Sequence, residues 1–147
     1  SLAVESRLLL PEVVLSVTVP HILPLDSQAQ LALDLVDSGV DLIQTEGGTS
    51  SHPTSPGTLG LIEKASPTLA ATFVIASALK ESHHDVPVIC ASGLSEVTVP
   101  MAISAGASGV GIGSAVNKLH TELAMIATVK GLRQALDSFE LVTTINQ

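Results

Sequence analysis

Two segments of this chain follow one pattern, and that pattern limits the fold more than any other feature. Residues 38–48 (SGVDLIQTEGG) and 105–115 (AGASGVGIGSA) each hold a helix-ending glycine, a buried strand and a glycine turn. They lie 67 positions apart, Gly39 against Gly106. Each interval holds two strand–helix units, so the chain is a run of four. Repeated units of this kind need right-handed crossovers and a parallel sheet. The apolar residues agree with this. There are two Phe and no Trp or Tyr, and the rest is mainly Ala, Val, Ile and Leu, as in parallel strands covered by helices.

Taken in order, residues 1–10 read as the end of a helix stopped by Pro11. Residues 13–19 (VVLSVTV) read as a buried strand, and residues 20–24 as a turn. Asp26 is expected as the N-cap of a helix with a stripe of Ala29, Ala32, Leu33 and Val36, closed by Gly39 at C′. The second strand is residues 41–46, followed by a polar loop over 49–57. Residues 58–64 predict a short helical turn. Ser66 then caps a new helix, with Pro67 at its first position, running to about Ser82. After the polar link 83–85 comes the third strand, 87–91. It breaks at Ser92-Gly93 into a short helix with Pro100 in its first turn. The fourth strand, 110–112, breaks at Gly113-Ser114-Ala115. A last helix spans about 119–139, and the tail is weakly patterned.

The chain carries 14 Asp plus Glu against six Lys plus Arg, a net charge of −8. It has no clustered basic footprint for nucleic acid and would be repelled by an acidic membrane surface. No apolar run approaches the ~18 residues of a membrane span. A small molecule is the expected partner. An anionic one would be held mainly by backbone donors. The single Cys excludes an internal disulfide and suggests a reducing compartment. The chain starts at Ser without a basic leader, so it reads as a fragment or processed piece of one soluble domain.

VPVICASG followed by GASGVGIGSA resembles the last two strands of a phosphate-binding (βα)8, or TIM, barrel. In such barrels the final two strand-to-helix turns grip a phosphate, helped by a short extra helix. The resemblance implies that residues 1–147 are the C-terminal half of one α/β barrel domain, strands 5–8, with the N-terminal half absent. Four units do not close an eight-stranded barrel, so an N-terminal half-barrel or a second copy is required. A longer match runs through LSVTVPHILPLDSQAQLALDL, IQTEGGTSS, GTLGLIEKASPTLAA and CASGLSEVTVPMAISAGASGVGIGSAVNKL. These segments resemble the Ycf (hypothetical chloroplast reading frame) family of uncharacterised barrel proteins. That implies a plastid stroma or cyanobacterial cytoplasm, and no activity to carry over.

Ser92, Gly93, Gly113, Ser114 and Ala115 are the phosphate candidates. Glycines admit close backbone approach, serine hydroxyls donate, and turns before helices present free N–H groups. Neither turn is a Rossmann or P-loop fingerprint. Gln44 and Glu46 share one strand face, and Glu46 is the acid/base candidate, because barrel catalytic groups sit at strand C-terminal ends. IQTEGG, a loop with His52, and the two glycine turns also resemble flavin-binding nitronate monooxygenase-type barrels. That resemblance implies Gln44 facing flavin, His52 as base, and Gly93, Gly113 and Ser114 on an FMN phosphate. The second turn lacks that pattern's basic residue. His21 lies at the same mouth. Cys90 reads as a buried, inert thiol. His83-His84-Asp85 resembles a metal pair but lies at the opposite end, where a solvated loop is expected, and no other metal-ligand spacing is present. Two functions stay open: an enzyme using Glu46 for proton transfer on a phosphorylated ligand, and a barrel that binds a metabolite or partner without catalysis.

Overall fold

The computed structural model describes residues 1–47 and 51–145, with 139–145 as backbone only. Four strands, β1 (Ser16–Thr18), β2 (Leu42–Gln44), β3 (Val88–Ala91) and β4 (Gly109–Gly111), form one sheet in the order β1-β2-β3-β4. Every pairing is parallel. Among the described residues six helices accompany them: α1 (Leu2–Leu9), α2 (Leu25–Asp37), α3 (Gly57–Glu81), α4 (Val99–Ser104), α5 (Ser114–Asn117) and α6 (Glu122–Ile145). The molecule is α/β with a four-stranded parallel sheet, as expected from the repeated units and consistent with half of a barrel.

The strands are shorter than the apolar runs that announced them. β1 ladders only from Ser16, opposite Leu42. Val13 and Val14 lie outside the sheet and are exposed, because β2 has no residues to pair with them. Alternate residues then divide the two faces. Val17, Ile43, Val88, Cys90 and Val110 pack among the helices. Ser16, Thr18, Leu42, Gln44, Ile89, Gly109 and Gly111 lie on the other face, and none of them belongs to a core cluster. Ser16 and Thr18 are exposed. Sequential strand order with one crossover hand places the connecting helices α2, α3 and α4 on one side. The opposite face is left bare.

Three helices close in the same way. The N–H of Gly39 reaches Val36 O at 2.9 Å and that of Val40 reaches Leu35 O at 3.1 Å. The same pair of bonds follows α4 at Gly106 and Ala107, and α3 at His83 and His84. This is the Schellman closure, which needs a left-handed residue at C′. Gly39 (φ 89°) and Gly106 (φ 104°) supply it freely, as the sequence predicts, whereas His83 adopts φ 60° with a Cβ in place. We expect His83→Gly to stabilise the fold by about 0.5–1 kcal/mol, since the left-handed penalty of a non-glycine residue is removed. Urea denaturation measures it, and a destabilised variant would show that the His83 side chain contributes more than its backbone costs.

α3 departs from expectation. Residues 58–64 and the segment after Pro67 form one 25-residue helix, and Ser66 is not an N-cap. Pro67 removes one intrahelical N–H, but the helix buries residues on both sides of it, from Gly60 and Ala65 to Ile75 and Leu79. Ser66 Oγ instead donates to Ile62 O at 2.8 Å. By length and hydropathy α3 matches a membrane span. In the fold one side of it contributes to both apolar clusters, while Leu59, Leu61 and Phe73 are exposed. Ala65 joins the cluster around Cys90, Leu94, Val99, Ala102 and Leu132. Ile75 and Leu79 join the cluster around Val19, Ala32, Ile43 and Val88. The two clusters overlap across the repeat: Val88 of β3 packs with the first and Ala65 of α3 with the second.

Smaller corrections follow from local geometry. α2 begins at Leu25 with Pro24 at the cap, so Asp26 lies inside the first turn and accepts the Ser27 N–H at 2.8 Å. A carboxylate there still favours the positive end of the helix. Thr121 precedes α6 and accepts the Ala124 N–H on its hydroxyl at 3.2 Å. α6 then continues to Ile145, past the expected 139. Arg7 ties α1 to the sheet through Gly39 O (2.8 and 2.9 Å) and an ion pair with Asp41.

Candidate functional site

The two turns singled out in the sequence meet. Ser92, Gly93, Gly111, Gly113, Ser114 and Ala115 line one cavity of about 220 Å3 at the C-terminal ends of β3 and β4. Ser92 (φ 81°) and Gly93 (φ 77°) are consecutive left-handed residues. Such a conformation is uncommon for a serine, and backbone strain of this kind clusters at functional sites. A Cβ built on Gly113 would meet no atom within 4 Å, so that glycine opens onto space rather than onto packing. Ser114 and Ala115 begin α5, so their N–H groups have no acceptor within that helix. A short helix of the kind such barrels use beside a phosphate follows Gly113. No basic side chain is among the lining residues. The cavity can hold an anion only through backbone N–H groups and serine hydroxyls.

A buried polar chain fixes the approach to this cavity, and no sequence signal marked it. Thr45, Thr68 and Thr72 are all fully buried. Thr68 Oγ1 donates to Ala91 O at 2.5 Å, immediately before Ser92. A hydroxyl has one proton, so Thr45 must donate to Thr68 across their 2.7 Å contact. Thr72 lies 3.2 Å from Thr45, and the Ala91 N–H reaches Thr45 Oγ1 at 3.4 Å. This network joins β2, α3 and β3 at the boundary between the two apolar clusters. Cys90 is fully buried beside it, 3.7 Å from Thr68 Oγ1, as expected for an inert thiol.

Glu46 and His21 form the second part of the site. Glu46 Oε1 accepts the His21 backbone N–H at 3.1 Å and lies 2.8 Å from His21 Nδ1. These contacts hold the Glu46 carboxyl below its ordinary range, led by the side-chain hydrogen bond from His21. The sequence places both residues at one mouth but gives no reason to pair them. Parallel register does: Thr18 lies opposite Gln44, and His21 and Glu46 follow shortly after those positions. Gln44 ends β2 on the bare face and is not among the residues lining the 220 Å3 cavity.

His52 is exposed on the loop after β2 and does not line the cavity. Gly48 of the glycine pair lies outside the described residues. The later part of the loop is held by α3. Glu63 accepts the Thr54 and Ser55 N–H groups at 2.8 and 3.1 Å and also the Ser55 hydroxyl. A Cβ on Gly60 would fall 2.2 Å from Ser55 O, so the loop rests directly on the helix. The Ser55 hydroxyl and the two amides hold the Glu63 carboxyl below its ordinary range. A depressed acid stabilises the fold above its unfolded-state pKa, and the contribution is lost as pH falls through the folded value. We expect the Thr54 and Ser55 amide resonances to titrate together, with a midpoint below the ordinary glutamate value. Glu63→Gln should abolish that titration. A normal midpoint would mean the loop is not held there.

At the opposite end of the strands, a wider groove of about 560 Å3 runs between α3 and the end of α4, beside Phe73, Lys80 and His83. His84 Nε2 lies 3.3 Å from Asp37 there. Among the described residues no three His, Cys, Asp or Glu side chains gather as around a metal ion. The smaller cavity is the better candidate, because two strand-end turns build it and catalytic groups of α/β sheets gather at that end.

A family model described as "Protein of unknown function (DUF561)" matches residues 1–141. The chain is 39% identical over 134 residues to "Uncharacterized protein ycf23" of Porphyra purpurea, covering 91% of this chain and 49% of that protein. It is 47% identical over 126 residues to the ycf23 protein of Cyanophora paradoxa, covering 86% and 49%. The ycf23 protein of Cyanidium caldarium is 37% identical over 134 residues, covering 91% and 52%. These matches agree with the Ycf resemblance and are consistent with a plastid or cyanobacterial origin. The chain spans about half the length of the curated relatives it matches.

Proposed function

We propose, from the premise that this chain belongs to the DUF561 family of proteins of unknown function, that its two strand-end turns bind the phosphate of a small molecule. One observation carries the reading: turns from adjacent strands, one holding two consecutive left-handed residues, close around a single cavity without a basic side chain. Backbone donors suit an oxyanion in a protein that is otherwise strongly acidic. The volume of about 220 Å3 falls below that of pockets for drug-sized ligands, so the cavity accepts a phosphoryl group and leaves the rest of the ligand over the bare sheet face. The same residues fit the phosphate end of FMN. The exposed His52 and the lack of a basic lining residue give the flavin part no support.

Strand order supports the half-barrel reading. An open sheet with its connecting helices on one side leaves its other face uncovered by them and its β1 and β4 edges unpaired, a hazard that barrels remove by closure. In our reading β1–β4 are strands 5–8 of a phosphate-binding (βα)8 barrel. An N-terminal half-barrel or a second copy completes it, in a plastid stroma or cyanobacterial cytoplasm.

The test is a titration of inorganic phosphate into isotopically labelled protein. The amides of Ser92, Gly93, Gly113, Ser114 and Ala115 should shift together and saturate. Unmoved amides at these five positions overturn the site. A saturating response confined to Lys80, His83 and His84 would overturn it as well, by placing the anion at the opposite end.

A further inference from the structure

We propose that His21 is the proton-transfer group of this site and that Glu46 is its positioning partner. The inference rests on the phosphate reading above and adds a reaction class to it.

Glu46 Oε1 receives two donors from one residue, the His21 backbone N–H and the ring Nδ1, at 3.1 and 2.8 Å. An ionised carboxylate only accepts. The 2.8 Å contact therefore requires a proton on Nδ1. In the neutral ring this leaves the lone pair on Nε2. The backbone bond fixes the residue while the side-chain bond fixes the ring. Both constraints come from the same oxygen. A carboxylate that holds one histidine tautomer and stabilises the imidazolium is the arrangement used for general base catalysis. Glu46, engaged on its own oxygen by two donors, is the poorer base of the two. The sequence-based choice of Glu46 as acid/base thus shifts to its partner. The His21 side chain is about one-quarter exposed, so the ring is supported yet open to a ligand.

The position sets the substrate class. His21 follows β1, while the phosphate turns follow β3 and β4. Neighbouring strands lie roughly 4.8 Å apart, so β1 and β3 end roughly 10 Å apart. A phosphate in the cavity and a proton at His21 therefore belong to a molecule several bonds long. The fitting class is a linear sugar phosphate whose carbonyl lies at the end remote from the phosphate. His21 Nε2 takes the proton from the carbon beside that carbonyl, and the C–H electron pair forms the enolate. The imidazolium then returns the proton to carbon. No oxidant, reductant or co-reactant is consumed. Gln44 ends β2 on the same face, in register between the strand that leads to His21 and the strand that leads to the phosphate turns.

Two measurements test this. The first is the tautomer of His21 by ring nitrogen resonances. The proton should sit on Nδ1, and in Glu46→Gln it should move to Nε2 or divide between the two. A wild-type ring protonated on Nε2 overturns the proposal. The second is exchange of the carbon-bound protons of ribulose 5-phosphate in heavy water. Exchange should exceed the buffer rate and fall by at least about 10²-fold in His21→Gln, with phosphate affinity unchanged. Glu46→Gln should lose a similar factor, and Glu46→Asp should recover part of it. A purely structural latch would move stability but not the exchange rate. Phosphate binding without exchange overturns the His21 assignment and leaves the anion site standing. Failure of inorganic phosphate to bind overturns the anion reading instead.

Discussion

Replacing Gly113 by aspartate should abolish phosphate binding and leave the fold intact. The two halves of that expectation have separate causes. Gly113 has φ −114°, a value open to any residue, and a Cβ there meets nothing within 4 Å. The side chain therefore enters space, not packing, and stability should change little. Gly113 lines the cavity, so the new carboxylate stands at its wall, close to the anion. Two unit charges 4 Å apart at an effective dielectric of 20 repel by about 4 kcal/mol, close to a thousandfold in affinity. Gly113→Ala adds volume without charge and should cost roughly tenfold or less, by the usual scale of a small steric loss. Titration calorimetry with inorganic phosphate measures both variants beside wild type. Equal affinity for phosphate in Gly113→Asp and wild type would remove these turns as an anion site.

Thr68→Val should be the most damaging conservative change in the core. Valine matches threonine in shape but has no hydroxyl. The Ala91 carbonyl then loses its 2.5 Å donor and Thr45 loses its 2.7 Å acceptor. All of these groups lie in the interior, with Thr45 and Thr68 fully buried. Stranding a buried polar group costs about 1–3 kcal/mol. Urea denaturation should show a loss of about that size, and Thr68→Ser should recover most of it. The phosphate turn should also respond, because Ala91 leads directly into the left-handed Ser92. If Thr68→Val proves as stable as wild type and binds phosphate equally, the threonine chain neither supports the core nor shapes the turn.

Much of the architecture was legible because it rests on local rules. Gly39 and Gly106 announced two helix ends, and both close helices with left-handed backbone. Ser92-Gly93 and Gly113 marked the strand-end turns, and both line one cavity. What was misread involved competition between local and distant terms. Ser66-Pro67 is a fitting helix start by local preference, yet burial on both sides of Pro67 keeps α3 continuous. Residues 13–19 look like a long strand, yet β2 offers only three partners. His52 is named as a base by the flavin-barrel resemblance; it is exposed and does not line the cavity, and the loop beyond it rests on Gly60 and Glu63.

The division is physical. Glycine placement, apolar runs and the 67-residue echo determined the element order, the parallel sheet and the ends of the helices, because each depends on neighbours along the chain. His21 and Glu46 are 25 positions apart, and Thr45 and Thr68 are 23 apart. Their pairing depends on strand register and on how α3 lies over the sheet, which no short segment encodes. The sequence therefore marked where a site could form. Tertiary structure decided which histidine meets which carboxylate there.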